Sequence, residues 1–261
     1  MTRRFAKYEG LGNDFIVLDR EVSPSEVVRL CDRRHGVGAD GVVVELASPD
    51  HDARMRIVNA DGSTPEMCGN GIRCLALHIA MGRGLDDAEL LIDTDAGPRS
   101  CRVHRIGDHA TVRVDMGDVR FIEDRAVAVE GRDLTLALAD AGNPHAVMFG
   151  DFDSATVEAL GPRIATHPAF RGGTNVEFAT VRGEDIRLVV WERGVGRTLA
   201  CGTGACATAA VAWAKKLVSK PVVRVSLPGG DLEVERVNGK VFMTGPARLV
   251  YRGELAGEVE P

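Results

Sequence analysis

Residues 59–71 read NADGSTPEMCGNG, and residues 192–204 read ERGVGRTLACGTG. Each stretch ends in Cys-Gly-x-Gly and is followed at once by apolar residues at helical spacing. The glycines let the backbone approach another group closely, and each cysteine closes an irregular polar loop. The pattern therefore predicts that two helices begin at cysteines, one at Cys68 and one at Cys201.

The sequence around these stretches is also repeated. Asn143 repeats Asn13 with a shift of 130 residues, Asn175 repeats Asp40 with a shift of 135, and the two cysteines lie 133 residues apart. The repeat predicts an α/β fold of the α+β kind, with two pseudo-symmetric domains that arose by internal duplication. We expect each domain to be a mostly antiparallel sheet wrapped around a central helix.

The predicted domains are residues 1–117 and residues 118–250, with residues 251–261 returning to the first domain as a C-terminal strand. Within the second domain, the dipeptide at 238–239 is Asn-Gly, which favours a type I′ hairpin turn. Gly-x-Gly-x-x-Gly at 36–41 matches a dinucleotide fingerprint, but a predicted helix precedes it and a predicted strand follows. This is the reverse of the required order, so a plain glycine turn is favoured.

The composition narrows the class of protein. The 261 residues carry a formal net charge of -6 and are 44% hydrophobic, which suits a globular chain and gives no basic surface for nucleic acid or anionic membranes. The first residues run into a polar glycine turn without an apolar signal segment, and no run of about 18 apolar residues occurs. We therefore expect a cytoplasmic protein that acts on a small molecule.

The six cysteines do not follow a zinc or disulfide pattern. They lack the paired C-x-x-C groups of a zinc site, and a chain of this length in a reducing cytoplasm needs no disulfides. We expect no metal, and we expect four of the cysteines to pack in the core: Cys31, Cys74, Cys101 and Cys206. A small buried hydrophobe is the alternative role for Cys68 and Cys201 too, but their repeated loops favour function.

Two thiols facing one carbon from opposite sides suit an amino-acid racemase or epimerase. Such an enzyme removes the α-hydrogen on one face and returns a proton on the other, so one group must be deprotonated while its partner is protonated. The ordinary thiol pKa is near 8.5, and a helix N-terminus is expected to lower it. Backbone N–H groups at the helix starts would hold the substrate carboxylate. These are the amides of Gly69, Asn70, Gly202 and Thr203.

Two further motifs carry candidate residues. His145 ends a Gly-Asn-Pro-His turn, where it could tune a thiol or move its proton, although a lone histidine is often structural. Glu192 and Arg193 place opposite charges in the loop before Cys201. They could anchor an amino group and a carboxylate, or form an ordinary surface pair.

The motifs resemble those of diaminopimelate epimerases along nearly the whole chain. The matching stretches are MCGNGIRC at 67–74, GNPH at 142–145, NVEF at 175–178, ERG at 192–194 and ACGTGAC at 200–206. The resemblance implies interconversion of LL- and meso-2,6-diaminopimelate, without pyridoxal phosphate or metal, in the bacterial route to lysine and peptidoglycan.

The resemblance also implies roles for residues. Cys68 and Cys201 would be the acid–base thiols, and His145 and Glu192 would adjust them. The implied substrate contacts are Asn13, Asn59, Gly69, Asn70, Asn143, Asn175, Glu192, Arg193, Gly202 and Thr203. The family is commonly homodimeric, and Tyr251 lies where a dimer-contact tyrosine is found.

Three positions depart from the family pattern, and other functions stay open. Gly41 stands where some members carry a glutamine, Trp191 replaces a common tyrosine, and Arg197 lies where an acidic residue is usual, which bears on substrate choice. Another cofactor-independent racemase of this fold, for proline or histidine, is one alternative. A non-catalytic thiol protein for redox or ligand binding is another. A pyridoxal enzyme is disfavoured because none of the five lysines lies in a motif loop.

Overall fold

A computed structural model describes residues 3–255, which form two compact units. One unit runs to Val114 and resumes at Gly245, and the other runs from Asp115 to Thr244. These boundaries differ from the predicted 117/118 and 250/251, because the last strand runs unbroken from the second unit into the first. Residues 256–261, part of the predicted C-terminal return, lie outside the described residues.

The first unit consists of strands around two helices. Its elements are β1 (Arg3–Gly10), β2 (Asn13–Leu18), α1 (Pro24–Cys31), β3 (Gly41–Leu46), β4 (Ala53–Asn59), α2 (Gly69–Gly82), β5 (Asp87–Asp93), β6 (Arg99–Ile106) and β7 (His109–Gly117). Neighbouring strands pair antiparallel except at β2–β3 and β4–β5, where α1 and α2 make the crossovers. Parallel neighbouring strands need such a crossover, so the two helices account for the two parallel strand pairs.

The second unit repeats this plan. Its elements are β8 (Arg120–Val129), β9 (Arg132–Asp140), β10 (Pro144–Phe149), α3 (Ser154–Ala165), β11 (Asn175–Arg182), β12 (Asp185–Glu192), β13 (Gly196–Thr198), α4 (Gly202–Ala214), β14 (Val222–Leu227), β15 (Gly230–Val237) and β16 (Lys240–Leu255). The parallel strand pairs are β10–β11 and β12–β14, and helices α3 and α4 make the crossovers between them. The start of β16 pairs with β15, and its end pairs with β1.

Strand register gives the correspondence between the units residue by residue. Phe15 pairs with Gly41 at the first parallel joint, and His145 pairs with Asn175 at the equivalent joint. His145 therefore corresponds to Phe15. The predicted match of Asn175 to Asp40 is wrong by one residue, because register and not loop sequence fixes the equivalence, and Asn175 corresponds to Gly41.

Helices α2 and α4 are the centres of their units, which confirms the predicted fold class. Helix α2 contacts strands β1 to β6, and α4 contacts β8 to β12 together with β14 and β15. Nearly every residue of both helices is buried. Helix α4 is rich in alanine on all sides, so strands can surround it closely. The four cysteines expected in the core are buried, as predicted.

The β8–β9 hairpin and helix α3 of the second unit were not predicted from the sequence. The β8–β9 hairpin exposes most of one face of β8, so its apolar alternation is weak. Helix α3 contains Pro162, and its N-cap is Asp153, whose carboxylate accepts from the Thr156 N–H.

The predicted type I′ turn is confirmed, since Asn238 and Gly239 both have positive φ between paired residues of β15 and β16.

Within residues 3–255, none of the helices is long and apolar enough to cross a membrane.

Candidate active site

Both candidate thiols are helix N-caps, as the repeated motif predicts. The Cys68 sulfur accepts the Gly71 N–H at 3.3 Å, and the Cys201 sulfur accepts the Gly204 N–H at 3.4 Å. The two caps have nearly the same backbone, with φ and ψ of -138° and 113° at Cys68 and -131° and 110° at Cys201. Each sulfur therefore sits at the positive end of a helix, where backbone N–H groups point outward.

The four residues expected to bind a carboxylate through their amides occupy the first two positions of these helices. Gly69 and Asn70 follow the first cap, and Gly202 and Thr203 follow the second. Amides at these positions are not used by the helix itself. The location suits an anion-binding role beside each thiol.

The electrostatic environment of Cys201 differs from the sequence-based expectation. Burial raises the pKa of this thiol well above its ordinary value, and the carboxylates of Glu192 and Glu177 raise it further. The Thr203 hydroxyl, 3.5 Å from the sulfur, and the Gly204 N–H act in the opposite direction. The expectation that the helix start lowers the pKa is wrong for Cys201, because burial and two carboxylates outweigh the helix.

In the first unit, a charged network fixes Asn13 beside the thiol helix. Its side-chain N–H donates to Asp40 Oδ2 at 2.7 Å, and its Oδ1 accepts from Asn70 at 3.0 Å. Asp14 in turn binds Lys7 and Arg33, each at 2.7 Å. Predicted substrate-contact residues Asn13 and Asn70 are therefore brought together, and the acidic and basic groups behind them hold Asn13 in place.

In the second unit, Asn175 joins two of the motifs. Its side-chain N–H donates to the Pro144 carbonyl at 3.1 Å, and its Oδ1 accepts the backbone N–H of Arg193 at 2.9 Å. Asn175 itself is only 5% exposed, and both hydrogen bonds are partly buried. The GNPH turn and the ERG loop, far apart in sequence, thus meet at one amide.

His145 lies in a buried chain of polar side chains. Its Nδ1 is 2.7 Å from Glu177 Oε1, and its Nε2 is 2.7 Å from Asn143 Oδ1. The side chains of His145 and Glu177 are both fully buried. Glu177 is not among the predicted site residues, although a lone acidic residue in the apolar strand β11 is a usable signal.

Asn59 and Glu192 occupy equivalent places, each at the end of the strand that leads into a thiol loop. The Asn59 amide donates to Ser63 Oγ at 3.0 Å, and Glu192 Oε1 accepts from Thr198 Oγ1 at 2.7 Å. Each side chain therefore ties the start of its loop to a later residue of the same loop.

The three departures from the family pattern have structural explanations. A Cβ at Gly41 would lie 2.8 Å from the Val58 carbonyl oxygen, so a side chain there would require the backbone of β4 to shift. A Cβ at Gly161 of α3 would lie 2.7 Å from the Trp191 ring, and Arg197 donates to Ser154 Oγ, also on α3, at 2.7 Å. Trp191 and Arg197 therefore both hold α3.

A cavity of about 550 Å³ in the second unit opens beside the GNPH turn. Asn143 and His145 line it, together with Phe170 and Thr174. Tyr251, the predicted dimer contact, is 43% exposed on β16 and stacks edge-on against Phe5. In the part of the chain that the structure describes, no group of three His, Cys, Asp or Glu side chains is placed to hold a metal.

The fold is that of racemases and epimerases known from solved structures. A probable proline racemase from Agrobacterium radiobacter superposes with a TM-score of 0.78 at 17% identity, covering 99% of this chain and 94% of that one. A phenazine biosynthesis protein of the PhzF family from Bacillus anthracis gives 0.76 at 16% identity, covering 98% and 99%. At such identities the likeness concerns the fold.

Sequence comparison narrows the class to one family. The family model for diaminopimelate epimerase matches residues 5–122 and 137–250. The diaminopimelate epimerase of Desulfitobacterium hafniense is 42% identical over 95% of this chain and 96% of its own length, and that of Synechococcus elongatus is 43% identical over 98% and 99%. The chain belongs to the diaminopimelate epimerase family, a family of isomerases.

Proposed function

We propose that this protein interconverts LL- and meso-2,6-diaminopimelate by a two-base reaction in which Cys68 and Cys201 exchange the roles of acid and base. One thiolate removes the α-hydrogen from one face of the carbon, and the other thiol delivers a proton to the opposite face. The observation that carries the proposal is the pair of N-cap thiols in a chain of this family, one in each repeat.

The helix starts supply the second requirement of the reaction. Loss of the α-hydrogen puts negative charge onto the substrate carboxylate, and hydrogen-bond donors already in place stabilise that charge without reorganising. The amides of Gly69 and Asn70 in one unit, and of Gly202 and Thr203 in the other, are suitably located. The reaction then depends on positioning, and we expect it to proceed without metal or pyridoxal phosphate.

The remaining polar groups would bind and orient the substrate. In our proposal Asn13, Asn59, Asn143 and Asn175 contact its polar groups, as the family resemblance implies. Glu192 and Arg193 bind its charged groups from the loop before Cys201. His145 and Glu192 would adjust the protonation of that thiol.

The biological setting follows from the reaction. We propose that the product supplies lysine and peptidoglycan synthesis in the cytoplasm, and that the protein forms a homodimer through the strand that carries Tyr251. The exposed position of Tyr251 supports the dimer. Gel filtration with light scattering would test the dimer.

The test of the function is a substrate panel in D2O. The protein is incubated with LL-diaminopimelate, L-proline, L-histidine or L-glutamate, and the products are followed by proton NMR and chiral chromatography. We expect loss of the α-proton signal and appearance of the meso isomer with diaminopimelate alone.

Two results would contradict the proposal. Turnover of proline or histidine in place of diaminopimelate would identify a different racemase on this fold. Absence of exchange with every amino acid, in a folded protein with reduced thiols, would favour a non-catalytic thiol protein.

A further inference from the structure

The two thiol helices rest on chemically different side chains, although the units are repeats. A Cβ added at Gly71, the third residue of α2, would lie 3.3 Å from Val43 Cγ2. A Cβ added at Gly204, the third residue of α4, would lie 2.9 Å from Glu177 Oε1. Register makes Val43 and Glu177 equivalent. An apolar side chain in one unit is therefore replaced by a carboxylate in the other.

The neighbouring strand shows the same difference. Phe15 in β2 corresponds to His145 in β10, and both are buried. The Cys201 side thus has an acid–imidazole pair beneath its helix, where the Cys68 side has a valine and a phenylalanine. Exact repeats would carry the same pair in both units, and burying two ionisable groups is costly unless they are paired.

The side chains of Glu177 and His145 are hydrogen-bonded to each other. Glu177 Oε1 binds His145 Nδ1 at 2.7 Å, which fixes the tilt and position of the ring. Asn143 Oδ1 lies 2.7 Å from the other ring nitrogen, Nε2, so both nitrogens of the ring are held by neighbouring side chains. Glu177 Oε2 is buried and has no hydrogen-bond partner among the described residues.

We propose that Glu177 is a positioning residue that fixes the His145 ring beneath the start of α4, and so makes the Cys201 thiol chemically unlike the Cys68 thiol. The carboxylates that act on Cys201 are those of Glu177 from β11 and Glu192 from β12, and His145 from β10 is hydrogen-bonded to Glu177. The Thr203 hydroxyl faces it from its own helix. Glu177 is the member of this set that holds the ring.

The first test measures the thiols without requiring turnover. The whole protein is alkylated with iodoacetamide across a pH series, and the rates at Cys201 and Cys68 are read separately by peptide mass spectrometry. In Glu177→Gln, which keeps the shape and removes the negative charge, we expect the pH midpoint at Cys201 to fall by about one unit. The midpoint at Cys68 should stay unchanged.

Two variants make this test decisive. Glu233→Gln removes the same charge from an exposed position on β15 and should move neither midpoint. Glu177→Asp keeps the charge but shortens the reach to His145, and its Cys201 midpoint should lie between those of wild type and Glu177→Gln. This variant also serves if Glu177→Gln does not fold. An unchanged Cys201 midpoint, or an equal shift at both thiols, would overturn the proposal.

The second test uses turnover and rests on the proposed function. We expect Glu177→Gln to lower kcat about 100-fold with little change in KM, because a misplaced acid–base group costs rate more than binding. Glu177→Asp should recover part of the loss. A kcat within threefold of wild type would overturn the proposal. If the wild-type protein turns over no diaminopimelate, the proposed function fails, and the alkylation result still decides the role of Glu177.

Discussion

Replacing Asp14 by asparagine should destabilise the protein in a pH-dependent way. Asp14 is ion-paired with Lys7 and Arg33, each at 2.7 Å, and the side chains of Lys7 and Asp14 are only 8% and 16% exposed. Burial alone would raise the pKa of Asp14, but the hydrogen bonds from Arg33 and Lys7 outweigh it and lower this pKa to about 2, from an ordinary value of 3.8.

The magnitude follows from that shift. Lowering the Asp14 pKa from 3.8 to about 2 corresponds to roughly 2 kcal/mol of stabilisation at neutral pH. Asparagine also removes the negative charge that is paired with the buried Lys7 ammonium, which adds to the loss of stability. We therefore expect Asp14→Asn to lower the free energy of unfolding by about 2 to 4 kcal/mol at pH 7.

The pH dependence has a definite sign. Because the folded-state pKa is lowered, the stabilisation is present in full above pH 3.8 and is lost as the pH falls through about 2. At pH 3 the stabilisation that comes from the lowered Asp14 pKa should be roughly half of its value at pH 7. Wild type and variant should therefore become more similar in acid.

Urea unfolding, followed by circular dichroism at pH 7 and pH 3, measures this. Asp19→Asn is the matched control, since Asp19 is exposed at the end of the same segment. A variant within about 0.5 kcal/mol of wild type at pH 7 would refute the reasoning, as would a loss of equal size at both pH values.

Two glycine substitutions test the packing around the site. Gly204→Ala should cost about 1 to 3 kcal/mol of stability and lower kcat, because its methyl group would displace the Glu177 carboxylate. The methyl group of Gly71→Ala would meet only apolar side-chain atoms, so this variant should be nearly neutral in thermal unfolding. Equal effects of the two would contradict this difference. Gly161→Ala should destabilise the protein by about 1 to 3 kcal/mol through a clash with Trp191, and adding Trp191→Phe should recover part of the lost stability. If Gly161→Ala alone were more stable than wild type in urea unfolding, that result would argue against the contact.

Local features of the sequence predicted much of this architecture. Cys68 and Cys201 were found because an N-cap, its glycines and the following helix are contiguous in the chain, so one motif specifies all three. The repeat of that motif then indicated the two-unit fold. The Asn238 turn was equally local, since its type depends on two adjacent residues.

Features that depend on strand register were harder to predict. Glu177 lies beneath α4 only because β11 pairs with β10 in one particular register, and Asp40 reaches Asn13 across a similar joint. The raised pKa of Cys201 depends on burial, which the helix-start motif does not encode. Gly41 and Trp191 suggested a change of substrate, yet the structure relates them to the Val58 carbonyl and to α3.

The two-thiol reaction is tested most directly by Cys68→Ala and Cys201→Ala incubated with LL-diaminopimelate in D2O. Folding is checked by circular dichroism, and formation of deuterated meso isomer is followed by NMR. With one thiol absent, a proton cannot be removed from one face and returned to the other. We expect both variants to fold and neither to form the meso isomer, whereas wild type forms it with deuterium at the inverted carbon. Wild-type turnover by either variant would contradict the two-base reaction.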